Sequence, residues 1–452
     1  MIRNRAELET TAERRTVLDL VEAGIRAVLP GNVMHENLSY DPGDRVLTVC
    51  GERYDVSSGD IMVAGGGKAA ANMAEALEEI IPPEHLAAGV VNCRHSSRST
   101  ETIEVREAGS PLPDERGVAG VRAMMSLKQN LELGEDDLVL CLISGGGSAL
   151  LPHPADDITV GELETVTDRL LACGAEIGEI NAVRKHLSLV KGGRLGQFYA
   201  PASVVSIIIS DVLGNDLDVI ASGPTVPDRS TFRDALNVVR KYGFADDLPS
   251  AVMRRLRKGA KGEVEENPRR LPNCSNHIIA DNRRALEAMA ESAQDEGLKP
   301  CIVTCEQTGR PEQVARRRAD QVKAGEFDPA DVVLLGGETT PVLPEEHGTG
   351  GRNQHYAAAS IRAMEDYPGR WTVASVGTDG SDYIAGVAGA VVDQETSERA
   401  RESGLDVGHF VERYDSYHLF EQLGGSLVWT GDTGTNVCDV IVYMLDGGET
   451  PE

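Results

Sequence analysis

Lys68 follows three consecutive glycines, Gly65, Gly66 and Gly67, where the apolar run IMVAGG meets the helical stretch KAAANMAEALEEI. Those residue types in that order suit an anion. Glycine lets the backbone come close, a helix N-terminus offers free N–H groups, and Lys68 adds a point charge. The segment CLISGGGSALLPHP repeats the device with Ser144, Gly145, Gly146, Gly147 and Ser148. Its backbone N–H groups and two hydroxyls suit a phosphate or a nucleotide. In GTGGRNQ, Gly348, Gly350 and Gly351 deliver Arg352 to a helix start, a rigid fork for a carboxylate or a transferring phosphoryl group.

Other residues could complete such a site. INAVRKHLSLVKGGRLGQ holds Arg184, Lys185, Lys191 and Arg194 within eleven residues, in a chain with nine lysines against thirty-five arginines. These are read as anion ligands, with a solvated basic helix face as the alternative, and His186 among them as a satisfied polar group rather than a base. Asp211, at the end of the β-branched run SIIIS, and Asp379, in GTDGSD, sit where Mg²⁺ is commonly held in phosphoryl transfer; an N-cap or turn aspartate is the alternative for Asp211. Known motifs are excluded by single residues. Ala69 follows Lys68 where a Walker loop needs Ser or Thr, and GxSxG is absent from the second loop. Gly65, Gly67 and Ala70 satisfy GxGxxA, yet the next strand ends in Asn92, Cys93 and Arg94 without the acid that would hold an NAD ribose. Eight scattered cysteines form no CxxC pair and read as small buried hydrophobes.

The elements that must position these residues alternate. A helix is expected over 7–28, ending at Pro30. Short runs such as RVLTVC, IMVAGG, GVVNC, LVLCLIS, VVSIIIS, HIIAD, CIVTC, VVLLGG and WTVASVG read as mostly buried parallel strands, with helical stretches between many of them. The fold class is therefore α/β with helices on both faces. The charged, Pro-bearing stretch 243–275 reads as a surface excursion, and GEFDPAD at 325–331 as a boundary. A length of 452 residues suits two or three domains. The net charge of −28 argues against nucleic-acid and anionic-membrane partners. Spread along the chain with so few lysines, it reads as salt adaptation. No run of about 18 apolar residues exists, and the N-terminus lacks a leader's apolar stretch, so a cytoplasmic protein is expected.

The motifs GGGKAAANMAEALE, LISGGGSALL, INAVRKHLSLVKGGRL, SDVLGNDLDVIASGPT, GGETTPV, GTGGRNQ, GTDGSD and GDTGTNVCDV, in that order and over nearly the whole length, resemble the class II glycerate kinases. This is the glycerate 2-kinase family with a C-terminal MOFRL domain. The resemblance implies a large Rossmann-like, doubly wound N-terminal domain over 1–328 and a smaller α/β MOFRL domain over 329–452, with the active site in the interdomain cleft. It implies ATP- and Mg²⁺-dependent phosphorylation of D-glycerate, usually at its 2-hydroxyl, small molecules as partners, and often a homodimer. Lys68 and Arg352 match the family's proposed catalytic cations. Two departures stand out: Asp432 replaces a common proline before TGTN, and 258–272 looks like an inserted variable surface. An NAD(P)H-dependent hydroxypyruvate reductase is the first rival reading, disfavoured by the missing acid, and a nucleotide-binding module without turnover is the second.

Overall fold

The computed structural model describes residues 1–95 and 99–446, and the chain divides into two compact units, Pro30–Ile279 and Met1–Leu29 with Ala280–Glu452. The expected helix over 7–28 is formed as Ala12–Ala27, preceded by one turn at Arg5–Leu8.

The unit Pro30–Ile279 opens with an antiparallel meander, β1 (Leu38–Asp41), β2 (Val46–Val49) and β3 (Glu52–Asp55). Six strands then build its main sheet: β4 (Ile61–Gly66), β5 (Leu86–Cys93), β6 (Ile103–Glu107), β7 (Leu138–Ser144), β8 (Ser203–Ile209) and β9 (Cys274–Ala280). Their spatial order is β6-β5-β4-β7-β8-β9, with parallel pairing from β6 through to β8. The chain thus starts in mid-sheet, winds outward to β6, and returns to β7 beside β4 before winding out the other way. That is the doubly wound Rossmann order, whose direction of winding reverses between β4 and β7. Every residue of β4 and β7 is buried, as continuous apolar runs covered on both faces must be.

The stretch 243–275 is no surface excursion. Ser250–Ala260 is a helix that buries Val252, Met253 and Leu256 against Phe232, Val239 and Leu170. Four arginines and lysines in eleven residues mask its apolar stripe, which is only one side of a short helix. Nor is 258–272 merely a variable surface, since Asn267 is buried and donates from Nδ2 to Asp228 Oδ2 at 2.6 Å.

The second unit carries β10 (Pro300–Gln307), β11 (Val332–Gly337), β12 (Arg370–Gly377), the hairpin β13 (Ser381–Asp382) and β14 (Ile384–Ala385), β15 (Val387–Asp393), β16 (Leu427–Trp429) and β17 (Asp439–Asp446). The sheet runs β10-β11-β17-β12-β15-β16, and only β10 and β11 are parallel. The expectation of parallel strands fails here because an apolar run reports burial of both faces, not strand direction. HIIAD and CIVTC, in the edge strands β9 and β10, are also more exposed than expected. The sequence boundary at 328/329 falls within this unit, between the helix Pro311–Lys323 and β11; β10, upstream of it, pairs directly with β11.

The N-terminal helix joins this unit through a buried ion pair. Arg14, with no solvent exposure, gives Nε to Asp393 Oδ2 at 2.5 Å and Nη2 to Oδ1 at 3.1 Å, and adds bonds to Thr396 Oγ1 and Gly425 O. The guanidinium holds the Asp393 carboxyl below its ordinary range despite burial. Removing one partner of such a pair strands a buried charge. Arg14→Ala is therefore expected to destabilise this unit by about 3–5 kcal/mol, read as a lower midpoint in urea, whereas Arg15→Ala on the same helix should leave the midpoint unchanged.

Candidate active site

Register places the C-terminal ends of β4 and β7 side by side, with Gly65 opposite Leu142 and Gly66 opposite Ile143. In an open α/β sheet, ligands bind at such a reversal of winding. Both glycine loops emerge there and interlock. Lys68 N–H donates to Gly145 O at 2.8 Å, and Ala69 N–H donates to Ser144 Oγ at 3.0 Å. Glycine is required at the crossing: a Cβ on Gly65 would lie 2.1 Å from Leu142 O, and one on Gly67 2.1 Å from Ser144 Oγ. Gly146, with φ +78, packs its α-carbon toward the Lys68 stem, and Gly147 sits against Ala221. Thus Gly65, Gly66, Gly67, Lys68 and Ser144 to Ser148 come together. The helix Ala70–Ile80 starts directly behind them.

Asp211 joins this group. It follows β8, and its Oδ2 occupies the space that a Cβ on Gly145 would fill, at 2.0 Å. On the other side, Ser148 Oγ lies 2.8 Å from Ser222 Oγ, which donates to Asn181 Oδ1 at 3.2 Å. Asn181 Nδ2 is buried without a partner. Ala221 and Ser222 hold φ values of +51 and +61, so two residues with side chains carry backbone strain at this point. Sequence reasoning missed Asn181, for which nothing in the local pattern is a signal.

The four cations of the basic segment divide sharply, and none forms an open solvated face. Lys185 is buried against carboxylates, 2.5 Å from Asp218 and 3.6 Å from Asp228, so its charge is already neutralised. Arg194 donates to Asn267 and to Glu265 O. Lys191 is buried too, yet its Nζ donates only to carbonyl oxygens, Ser148 O at 2.7 Å and Leu151 O at 3.4 Å. Burial and the neighbouring Arg184 push its pKa well down. Arg184 has no carboxylate partner among the described residues, and burial lowers its pKa as well. Two uncompensated cations beside a glycine loop lack an anion. His186 is satisfied by Ala182 O and Glu266, as expected of it.

Arg352 belongs to the other unit and opens the helix Arg352–Ala363, capped by Gly351. Its Nε and Nη2 grip Asp439 at 2.6 and 3.0 Å, and Nη1 reaches Glu338 at 2.6 Å, which raises its pKa. The helix N-terminus is already filled. Asp382 accepts from Asn353 N at 3.0 Å and Gln354 N at 2.8 Å, and its carboxylate fills the space beside Gly351 where a Cβ would stand. Burial pushes its carboxyl up to about 6. Gly350, packed against Ser416, serves the turn in the same way. Asp379 accepts Ser381 N–H at 3.0 Å. It lies in a different unit from Asp211, and no group of three metal-capable side chains occurs among the described residues. Asp439, in the motif NVCDV, is a neighbour of Arg352 that sequence reasoning missed, and Asp382, on the strand-end loop GTDGSD, is one to which it gave no role.

Two family models match the chain: a domain of unknown function, DUF4147, over residues 16–257, and the MOFRL family over residues 331–439. The glycerate 2-kinase of Pyrococcus horikoshii is 36% identical over 441 residues, covering 96% of this chain and 97% of that protein. A crystal structure of the glycerate kinase of Thermotoga maritima superposes with a TM-score of 0.83 at 34% identity, covering 96% of this chain and 99% of the other. A protein of Agrobacterium vitis with the provisional name hydroxypyruvate reductase is 37% identical, over 90% of this chain and 91% of that one.

The interlocked loops generate a stability contrast. Gly67→Ala is expected to cost about 1–3 kcal/mol by overpacking against Ser144. Gly161→Ala, with open space around it at the start of the helix Val160–Ala172, should gain up to about 1 kcal/mol. Urea unfolding of both variants checks the pair.

Proposed function

The chain belongs to the glycerate 2-kinase family that joins a DUF4147 domain to a MOFRL segment, and from that premise we propose that it transfers the γ-phosphoryl group of ATP to the 2-hydroxyl of D-glycerate. The observation that carries this reading is Lys191, buried with only carbonyl oxygens as partners beside Ser148 at the reversal of the Rossmann sheet, together with the half-buried Arg184 near it, neither having a carboxylate partner among the described residues. In a chain of net charge −28, such cations call for a phosphate.

Phosphoryl transfer proceeds through a loose transition state, so positioning and charge stabilisation do most of the work and no covalent nucleophile is needed. In this reading the N–H groups and hydroxyls of Ser144 to Ser148 orient phosphate oxygens, and Arg184 and Lys191 balance their charge. Lys68 orients the carboxylate of glycerate or neutralises the moving group. Arg352, in the other unit, offers Nη1 to an anion, with Asp439 fixing the plane of its fork. Asp211, against Gly145 and beside the phosphate loop, fits a Mg²⁺ that keeps most of its waters. Asp379, in the other unit, accepts Ser381 N–H and is the second candidate. Bound Mg²⁺ would supply charge neutralisation between the phosphates.

A specific observation bears on the reductase reading suggested by the Agrobacterium name. At the end of β5, where a dinucleotide site keeps its ribose-binding acid, Asn92 is buried and donates from Nδ2 to Gly117 O and Leu150 O. A coupled assay separates the readings. Purified protein with ATP, Mg²⁺ and D-glycerate, coupled through enolase, pyruvate kinase and lactate dehydrogenase, should give signal without phosphoglycerate mutase. Signal only on adding mutase would move the phosphate to O3, and NAD(P)H consumption with hydroxypyruvate alone would make the protein a reductase.

Lys68→Ala should lower kcat by about 10³-fold, roughly 4 kcal/mol of transition-state stabilisation, with an unchanged melting curve, and Arg352→Ala should lower kcat as far while also lowering the melting point, because it strands the buried Asp439 carboxylate. Near-wild-type turnover in either variant removes that residue from the mechanism.

Residence in the cytoplasm, a homodimer and adaptation to high salt complete the proposal. No described helix is long and apolar enough to cross a membrane. With the charge of −28, moving from about 2 M KCl to dilute buffer lengthens the Debye distance severalfold, so activity and melting temperature should both fall. An unchanged melting point in dilute buffer would refute the salt adaptation.

A further inference from the structure

A cavity lies wholly within the unit that carries Arg352, at the opposite end of its helix. It encloses about 630 Å³ and is lined by Arg310, Arg316, Arg362, Leu343, Val411 and Tyr414, a size that suits a small organic ligand. None of the three arginines makes a hydrogen bond or an ion pair through its side chain among the described residues. Arg362 reaches the cavity because Gly408 has no side chain: a Cβ there would lie 2.0 Å from Nη1. The two acids on the wall, Glu312 and Glu412, leave an excess of one positive charge. Glu312 is also engaged, accepting Tyr414 Oη at 3.0 Å.

Two further features are hard to attribute to folding alone. Tyr414 holds φ +52 just after the helix Val407–Glu412, a position that glycine or asparagine ordinarily takes. Its ring stacks flat on His355, with centroids 4.0 Å apart and planes within 8°. His355 is 1% exposed, and both of its ring nitrogens lack hydrogen-bond partners, Nε2 lying 3.7 Å from Glu312. A strained tyrosine is thus presented to the cavity over a buried, unsatisfied imidazole, while Leu343 is 51% exposed beside it.

We propose that this cavity binds a nucleoside monophosphate, or a phosphomonoester with a similar flat apolar body, at a site separate from the glycine loops. The guanidinium forks of Arg310, Arg316 and Arg362 match a phosphate dianion, and the walls of Leu343, Val411 and Tyr414 cover the ring. Because Arg352 and Arg362 share one helix, an occupant would rest on the same rigid element that carries the phosphoryl-transfer cation.

The test is titration calorimetry of the full-length protein with AMP, adenosine and inorganic phosphate. AMP should bind at least tenfold more tightly than either of its parts. The variant R316E/R362E should weaken AMP at least tenfold and keep its melting curve and its kcat for glycerate within twofold, while Lys68→Ala should leave AMP binding unchanged. Loss of AMP binding in Lys68→Ala with retention in R316E/R362E would move the ligand to the glycine loops and overturn the inference. So would equal binding of adenosine and AMP, or no binding of AMP to the wild type. A protein without kinase activity that still bound AMP through Arg316 and Arg362 would sink the proposed function and leave this site standing.

Discussion

Adjacent parallel strands stand about 4.8 Å apart, and at the carboxyl ends of β4 and β7 two loops must pass each other within that spacing. The whole candidate site depends on this crossing. Gly65 and Gly67 bring backbone to within van der Waals distance of Leu142 and Ser144, and the passing chains are then tied by Lys68 N–H to Gly145 O and Ala69 N–H to Ser144 Oγ. The same closeness that excludes side chains leaves backbone donors and small hydroxyls facing outward, which is what a phosphate needs. Asp211, lodged where Gly145 has no Cβ, shows the crossing extending to a third strand.

Within each unit the chain sorts its buried cations by whether they are neutralised. Lys185 sits between Asp218 and Asp228, and Arg14 is locked onto Asp393; both act as internal fasteners. Lys191 and Arg184 receive no carboxylate among the described residues, and the depressed pKa values of both follow from burial. A buried charge left unpaired is costly. Such a cost persists in a functional protein where the missing partner arrives with the ligand.

Much of this was legible in the sequence because glycine after an apolar strand has few explanations, and the pattern recurs. The helix starts, the buried strands β4, β7 and β8, and the membership of Lys68 and Ser144 to Ser148 in one site all follow from local composition and period. What was not legible depends on partners far away in the chain. Strand direction in the second sheet is set by pairing of β17 between β11 and β12, which no apolar run encodes. The attachment of the N-terminal helix rests on Arg14 and Asp393, 379 residues apart. Lys185 and Lys191 look alike in sequence, and only Asp218 and Asp228 on one side and Ser148 O on the other separate a fastener from a ligand group. The helix Ser250–Ala260 was hidden by its own arginines, whose charge dominates a composition window while its stripe of Val252, Met253 and Leu256 does the packing.

The carboxylates around Arg352 fix what that residue can do. Asp439 holds Nε and Nη2 in a bidentate grip and is itself held by Asn353 Nδ2 at 2.9 Å, so this half of the fork is structural. Nη1 is different: its partner Glu338 is 44% exposed and flanks the chain just after β11. A phosphoryl oxygen approaching Arg352 therefore competes with a solvated surface carboxylate, whose ion pair is worth little, rather than with the buried Asp439, whose loss would strand a charge. Arg352 with both acids carries a net negative charge and would repel a phosphate, whereas displacing Glu338 leaves a neutral, rigidly oriented donor pair with Asp439. The arrangement holds the guanidinium in a fixed plane and leaves one nitrogen open to exchange, the property that the role proposed for Arg352, engaging only as a phosphoryl group moves, would require.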